Sequence, residues 1–329
     1  CQLVDDARLT VSVARTAARY GARVITRAAA SDVTGSGARV RTEDGAEWDL
    51  LARHVIVATG VWTQQLDPHT RLTTSRGSHV VLRPESLGTP RAALTAPVPG
   101  ERGRYVFALP TLDGTVIAGI TDEPVPGPVA DVPLAPQHDI DWILEHLSSA
   151  LARPLGPDDV IGTYAGLRPL VGEPGAQSSA DISRRHLIER RPEGHVVVTG
   201  GKLTTYRRMA QDAIDALDLP DMPCRTHTLP LVGAQPQRTG PPAGVPRRLV
   251  DRFGVEAVRV AAYAESDPRL LEPVAPGVPV LGVEVVHAVR AEGALDAEDV
   301  IERRTRLSSV PERAERSRDR VSEIIEAVQ

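Results

Sequence analysis

Apolar positions along this chain follow first one period and then another, and the changes of period mark out its elements. Leu9, Val13, Ala17 and Tyr20 share one helical face; Asp5 and Asp6 can cap that helix, and Gly21 stops it. Residues 22–26 then predict a short strand. Turn signals at Ser36-Gly37 and Asp44-Gly45 flank residues 38–42 and predict a hairpin-like antiparallel pair. A strand at 54–58 ends in Thr59-Gly60-Val61-Trp62. From Ser75 to Asp122 the alternation is that of β structure. Strands are expected there at 79–83, 105–109 and 115–120, with Asp113-Gly114 as a two-residue hairpin turn.

Pro124 to Pro136 reads as a connector rich in proline and glycine. Ile140, Ile143, Leu144, Leu147 and Leu151 recur at helical spacing, and Pro154 ends that helix. A strand at 160–167 delivers Arg168. A further pair, 186–189 and 195–199, is joined by a turn at 190–194. Val196, Val197 and Val198 read as buried strand, Gly200-Gly201 as a tight turn, and a helix-compatible run continues to about Leu217. Residues 233–246 are dense in Gly, Pro and Gln and predict a linker. Beyond them the chain is helical, at 247–253, 255–264, 283–291, 297–306 and 311–328. The last two helices alternate charges, as a solvated face stitched by i,i+4 pairs does. Gly293 falls inside an expected helix, at a cost of about 1 kcal/mol against alanine.

Composition narrows the choices. With 329 residues, 41% hydrophobic and 25% charged, the chain has material for two domains and a substantial core. A net charge of −5 leaves no basic face for general nucleic-acid binding. Cys1 and Cys224 form neither a metal spacing nor a disulfide framework. Helix, strand, meander, strand and glycine turn look like the later part of a dinucleotide-binding domain, yet no Gly-x-Gly-x-x-Gly occurs. The chain begins at Cys1 and enters a helix at once. It is therefore expected to be a piece of a longer protein, and either that turn lies upstream of Cys1 or this is not a nucleotide domain.

The stretch from Val196 to Met209 carries the chemistry. A strand, two glycines and a helix start gather unpaired N–H groups and a positive dipole end. Lys202 adds a charge, and Thr204 and Thr205 add hydroxyl donors. Such a spot suits a phosphate or a ring that gains negative charge on reduction. A solvent-facing lysine on an ordinary turn is the bland alternative.

Several segments, in order, resemble FAD-dependent glycerol-3-phosphate dehydrogenases of the bacterial respiratory and mitochondrial type. They are Gln2-Leu-Val-Asp-Asp-Ala-Arg-Leu9, Val57-Ala-Thr-Gly-Val-Trp62, Arg76-Gly-Ser-His79, Ile117-Ala-Gly-Ile-Thr-Asp122, Ala165-Gly-Leu-Arg-Pro-Leu170, Ile182-Ser-Arg184 and Gly200-Gly-Lys-Leu-Thr-Thr-Tyr-Arg207. Ala288-Val-Arg290 and Glu302-Arg-Arg-Thr-Arg-Leu307 resemble the family's C-terminal domain.

The resemblance implies an α/β FAD-dependent oxidoreductase fold: an incomplete Rossmann-like domain (1–74 and 196–232), an antiparallel β-sheet substrate domain (75–195), a linker (233–246) and an all-α C-terminal domain (247–329). It implies oxidation of sn-glycerol 3-phosphate to dihydroxyacetone phosphate by hydride transfer to FAD, with quinone or another acceptor taking the electrons. The protein would be cytoplasmic, with peripheral contact at the inner face of the cell membrane. Ala58, Thr59, Gly60, Trp62, Gly200, Gly201, Lys202, Leu203 and Thr204 would meet FAD. Arg168, Arg184, Lys202 and Thr205 would hold substrate, with Arg185 able to replace Arg184. His79, Arg168 and Lys202 would be catalytic, His79 as a base of near-neutral pKa needing no perturbation. Without the pyrophosphate turn the polypeptide is expected to bind FAD poorly and to be inactive alone. A D-amino-acid or amine oxidase of the same fold and a non-catalytic remnant are the alternatives.

Overall fold

The computed structural model describes residues 5–101, 103–171, 186–220, 222–234 and 243–329. Helix α1 (Asp6–Arg19) is capped as its sequence dictates: the Asp5 carboxylate accepts the Arg8 N–H at 2.9 Å, and Gly21 leaves the helix at φ +94°. Residues 22–26, expected as a strand, are not one. They have no partner strand among the described residues, and Val24 and Ile25 stand half-exposed. Apolar character supplies a side for burial but not the neighbouring ladder that makes a strand.

Next come β1 (Ala28–Thr34), β2 (Gly37–Thr42) and β3 (Glu47–Leu51), an antiparallel meander in that order, so the expected pair is three-stranded. Strand β4 is only Ile56–Val57, and α2 (Thr63–Leu66) follows the glycine turn. Then follow β5 (Leu72–Leu82), β6 (Leu94–Pro97), β7 (Tyr105–Pro110), β8 (Val116–Gly119), β9 (Glu123–Pro124), α3 (Gln137–Ser148) and β10 (Val160–Val171). From residue 186 onward come β11 (His186–Arg190), β12 (Val196–Gly200) and α4 (Tyr206–Asp215). The tail holds α5 (Arg247–Phe253), α6 (Ala257–Ala261), α7 (Gly282–Glu292) and α8 (Pro311–Val328).

Two further sheets result. One runs β10-β5-β8-β7-β6, with β9 also on β5; the other runs β11-β12-β4, and β12 pairs β4 in parallel. Strand β5 begins seven residues before the expected 79, because β10 pairs with it from Val171↔Leu72 to Val160↔Leu82. The β7–β8 connection is a three-residue loop rather than the expected two-residue turn. Thr111 and Thr115 close it with an N–H···O bond of 2.9 Å, and Gly114 takes the left-handed position at φ +68°.

Helix α3 covers the large sheet with Ile143, Leu144 and Leu147 packed on Val80, Leu82, Val106 and Val116. Its first turn is pinned from below. The buried Asp139 carboxylate accepts from Arg76 Nε at 2.9 Å, from Thr121 Oγ1 at 3.1 Å and from the Ser78 hydroxyl. Burial alone would raise this carboxyl's pKa, but Arg76 and the hydroxyls hold it below the usual range.

In the tail, Val285, Val286, Ile301, Val321, Ile324 and Ile325 form a separate core. Two expectations are corrected here. Gly293 does not interrupt a helix: it ends α7 at φ +68°, with the Ala294 N–H closing on Ala288 O at 3.0 Å, so it caps rather than weakens. Nor do the tail's charges only stitch their own helix. Arg313 donates to Asp113 O, Arg304 to Glu292 O, and Arg318 pairs with Glu298. Residues 299–304, within the expected helix 297–306, are a π-helical turn. Buried Glu292 takes Arg8 of α1, and Arg15 of α1 grips Glu256 at 2.7 Å, so α1 is bolted to the tail by ion pairs.

Candidate active site

Register decides which side chains meet. Across β5 and β10 the pairs are Val81↔Gly162, His79↔Tyr164, Gly77↔Gly166 and Ser75↔Arg168. Alternate residues share a face, so His79, Tyr164 and Arg168 stand on one side of the sheet among glycines. Those glycines make the site. A side chain at Gly77 would start 2.4 Å from Arg168 Nη2, so the guanidinium sits close over bare backbone. A side chain at Gly119 would start 2.6 Å from His79 Cδ2. At Gly166 nothing lies within 4 Å, which leaves open space between Tyr164 and Arg168. Gly77, Gly119 and Gly166 were not assigned roles from the sequence; their signal was glycine within strands, where it marks a close approach.

Arg168 sits within β10 rather than at its end. It donates to Thr121 O at 3.3 Å and pairs with Asp122 Oδ1 at 3.3 Å. Asp122 also accepts from the Ser75 hydroxyl, so the guanidinium is held from below.

His79 is stacked on Tyr164, with centroids 4.7 Å apart and planes 12° apart. Its Nδ1 is buried without a hydrogen-bond partner among the described residues. Its pKa is not near neutrality, as expected from an unperturbed histidine, but is lowered to about 4. Burial is the main cause, and the cations Arg168 and Arg306 add to it, against a weak opposing pull from Asp6. The ring is therefore neutral throughout the physiological range.

The second wall is built on backbone. Strands β4 and β12 run in parallel and each is followed by a glycine turn: Gly60 at φ +57° three residues beyond β4, and Gly200 at +70° with Gly201 at +80° at the end of β12. Open space fronts Gly60, whereas a side chain at Gly201 would start 2.5 Å from Met209 Sδ of α4. One glycine thus leaves room for a ligand and the other lets the helix close on the strand. Lys202 is exposed and makes no ion pair among the described residues. Thr205 is engaged locally: it accepts the Lys202 N–H at 3.3 Å and donates to Lys202 O at 2.9 Å. Leu203 and Thr204 are exposed, as are Ala58 and Trp62, and Thr59 lies half-buried. Strand β10 contacts both β12 and the Gly60–Trp62 turn, which brings the glycine-lined sheet face and the glycine turns into one neighbourhood. Arg184 and Arg185 lie outside the described residues.

A cavity of about 910 Å³ lies elsewhere. Tyr20 of α1, Tyr206 and Ile214 of α4, and Met222 line it, and none of the expected site residues does. No helix among the described residues is long and apolar enough to cross a membrane.

Comparison with known proteins agrees with this frame. Residues 1–207 match the family model for FAD dependent oxidoreductases, and residues 224–328 match that for the C-terminal domain of alpha-glycerophosphate oxidase. The chain is 47% identical to glycerol-3-phosphate dehydrogenase 1 of Mycobacterium tuberculosis, over 96% of this chain and 63% of that protein. It is 36% identical to glycerol-3-phosphate dehydrogenase of Mycobacterium leprae, over 93% of this chain and 56% of that one. The chain thus spans under two thirds of these relatives' length. Its fold is similar to the glycerol-3-phosphate dehydrogenase from Bacillus halodurans complexed with FAD, with a TM-score of 0.71, 23% identity, and coverage of 98% of this chain and 72% of that one. The expected fold class and family resemblance are borne out: this chain belongs to the FAD dependent oxidoreductase family, in the group that carries the C-terminal domain of alpha-glycerophosphate oxidase.

Proposed function

We propose that this chain serves the oxidation of sn-glycerol 3-phosphate to dihydroxyacetone phosphate, with FAD as hydride acceptor and quinone as the final electron sink. The observation that carries the reading is the open space at Gly166, bordered by the Arg168 guanidinium and the Tyr164 ring, with His79 beside them. A phosphorylated polyol is dianionic, and a planar guanidinium held by Asp122 and Thr121 is suited to orient it. Arg184 and Thr205 are assigned to the same substrate.

The glycine turns suit FAD. Gly60 has room in front of its backbone, the positive-φ pair Gly200-Gly201 turns the chain sharply, and Lys202 offers beside them a cation without an ion pair among the described residues. Ala58, Thr59, Gly60, Trp62, Gly200, Gly201, Lys202, Leu203 and Thr204 would hold it. When bound, FAD supplies the acceptor for the hydride from C2. His79 takes the C2 hydroxyl proton. At a lowered pKa it is a weak base, and the negative charge of a bound phosphate offsets the two arginines that depress it. Segments 1–74 and 196–232 serve the cofactor, 75–195 the substrate, and 247–329 braces both. A quinone acceptor is dissolved in lipid, so we place the protein in the cytoplasm with peripheral contact at the inner face of the membrane.

The test is turnover by the FAD-loaded protein with a soluble quinone. Oxidation of sn-glycerol 3-phosphate is expected, and Arg168→Lys should raise KM by about tenfold or more, since one bidentate contact is lost. Turnover of glycine or D-amino acids without turnover of glycerol 3-phosphate would instead place the protein with the amine oxidases.

A further inference from the structure

The segment that follows the π-helical turn of the tail crosses the site sheet at close range. A side chain at Gly162 of β10 would start 2.0 Å from Ser309 O, so backbone lies on backbone there. Three residues earlier, Arg306 is held at φ +58°, a left-handed conformation that a residue with a Cβ rarely adopts. Held there, its guanidinium stands over the Tyr164 ring, 5.5 Å from the centroid, and pairs with Asp6 of α1 at 3.3 Å. Tyr164 in turn stacks on His79. A chain of contacts thus runs from the helical tail to the imidazole.

We propose that Tyr164 and Arg306 are positioning residues for His79, the stacked ring fixing the imidazole plane and the tail's guanidinium fixing the ring. Among the described residues the imidazole has no other lateral support of this kind: Gly119 and Gly77 present bare backbone, and the Phe107 ring of β7 is tilted at 50° with centroids 6.2 Å apart. Among the described residues, the charged groups that act on His79 are Arg168 of β10, Arg306 of the tail segment and Asp6 of α1. Two cations against one carboxylate favour the neutral imidazole, which is the form able to accept a proton. The tail is then part of the site and not only a brace.

This inference rests on the catalytic reading of His79, but its first test does not. The His79 ring is titrated by NMR in the full chain and in Arg306→Gln, Arg306→Lys, Tyr164→Leu and Arg313→Gln. Removing the charge in Arg306→Gln is expected to move the His79 titration to higher pH, and Arg306→Lys to restore it. Arg313→Gln loosens the tail's bond to Asp113 O without facing the ring, and should leave His79 unchanged. In turnover, Arg306→Gln and Tyr164→Leu should lower kcat about tenfold to a hundredfold with KM nearly constant, and the acid limb of the Arg306→Gln pH profile should move up. An unaltered His79 titration in Arg306→Gln, or an equal change in Arg313→Gln, overturns the proposal. If glycerol 3-phosphate is not oxidised while His79 still responds to Arg306, the proposed function fails and the positioning arrangement stands.

Discussion

The six-stranded sheet and the three-stranded sheet are built by opposite means. In the first, β5 is paired along its whole length, α3 seals one face, and Asp139 ties helix and strand through buried hydrogen bonds. In the second, β12 is buried but β4 is two residues long, and Leu203, just beyond β12, stands in solvent. One side of the site is therefore fixed by packed side chains and the other by glycine backbone. On the proposed reading, side-chain chemistry sits on the rigid frame, at His79 and Arg168, while the glycine turns offer backbone and Lys202, which makes no ion pair among the described residues.

This contrast can be broken by substitution. The largest effect is expected at Asp139→Ala, which leaves Arg76 without its buried partner and should cost about 3–5 kcal/mol by chemical denaturation. A loss below 1 kcal/mol would mean that the pin is ornamental. Next comes acid. A folded-state pKa of about 4 for His79, against an ordinary 6.5, means that the unfolded chain binds the extra proton in that window. Stability is then whole above pH 6.5 and falls as the pH drops towards 4, by at most about 3 kcal/mol. The same decline in His79→Gln would assign it to other groups; Glu292 adds a separate loss at lower pH. That carboxylate is buried, which alone would raise its pKa, yet His287 and Arg8 hold it far below the usual range, so its contribution is lost only as acid falls below ordinary carboxylate values.

Gly293→Ala should cost about 1 kcal/mol, because alanine must take the left-handed cap; a stabilised variant would instead restore the reading of an interrupted helix. Smallest of all, Val24→Ser should change stability by less than about 0.5 kcal/mol, as an exposed position outside any sheet. A clear loss there would show that residues 22–26 are packed in solution.

What the sequence made legible follows the same division. Local rules read α1 with its Asp5 cap, the helix over β5, the β11–β12 pair and the glycine turns, because each depends on neighbours within a few residues. The strand at 22–26 was misread because a strand needs a partner that no local pattern supplies. His79 and Arg168 were visible in Arg76-Gly-Ser-His79 and Gly166-Leu-Arg168, but the depressed pKa of His79 was not, since burial and Arg306 come from distant parts of the chain. Arg306 lies 142 positions beyond Tyr164 in the numbering and could be placed beside it only by the fold. Gly293 was misjudged by a propensity that holds inside helices and reverses one residue past their end.

The most direct test of the central claim is a crystal structure of the protein with FAD and glycerol 3-phosphate bound. The account predicts the flavin against the backbone of Gly60 and Gly200–Lys202, and the substrate above Gly166 with its phosphate on Arg168 and its C2 hydroxyl towards His79. Substrate lodged instead in the cavity between α1 and α4, with Arg168 and His79 out of reach, would contradict it.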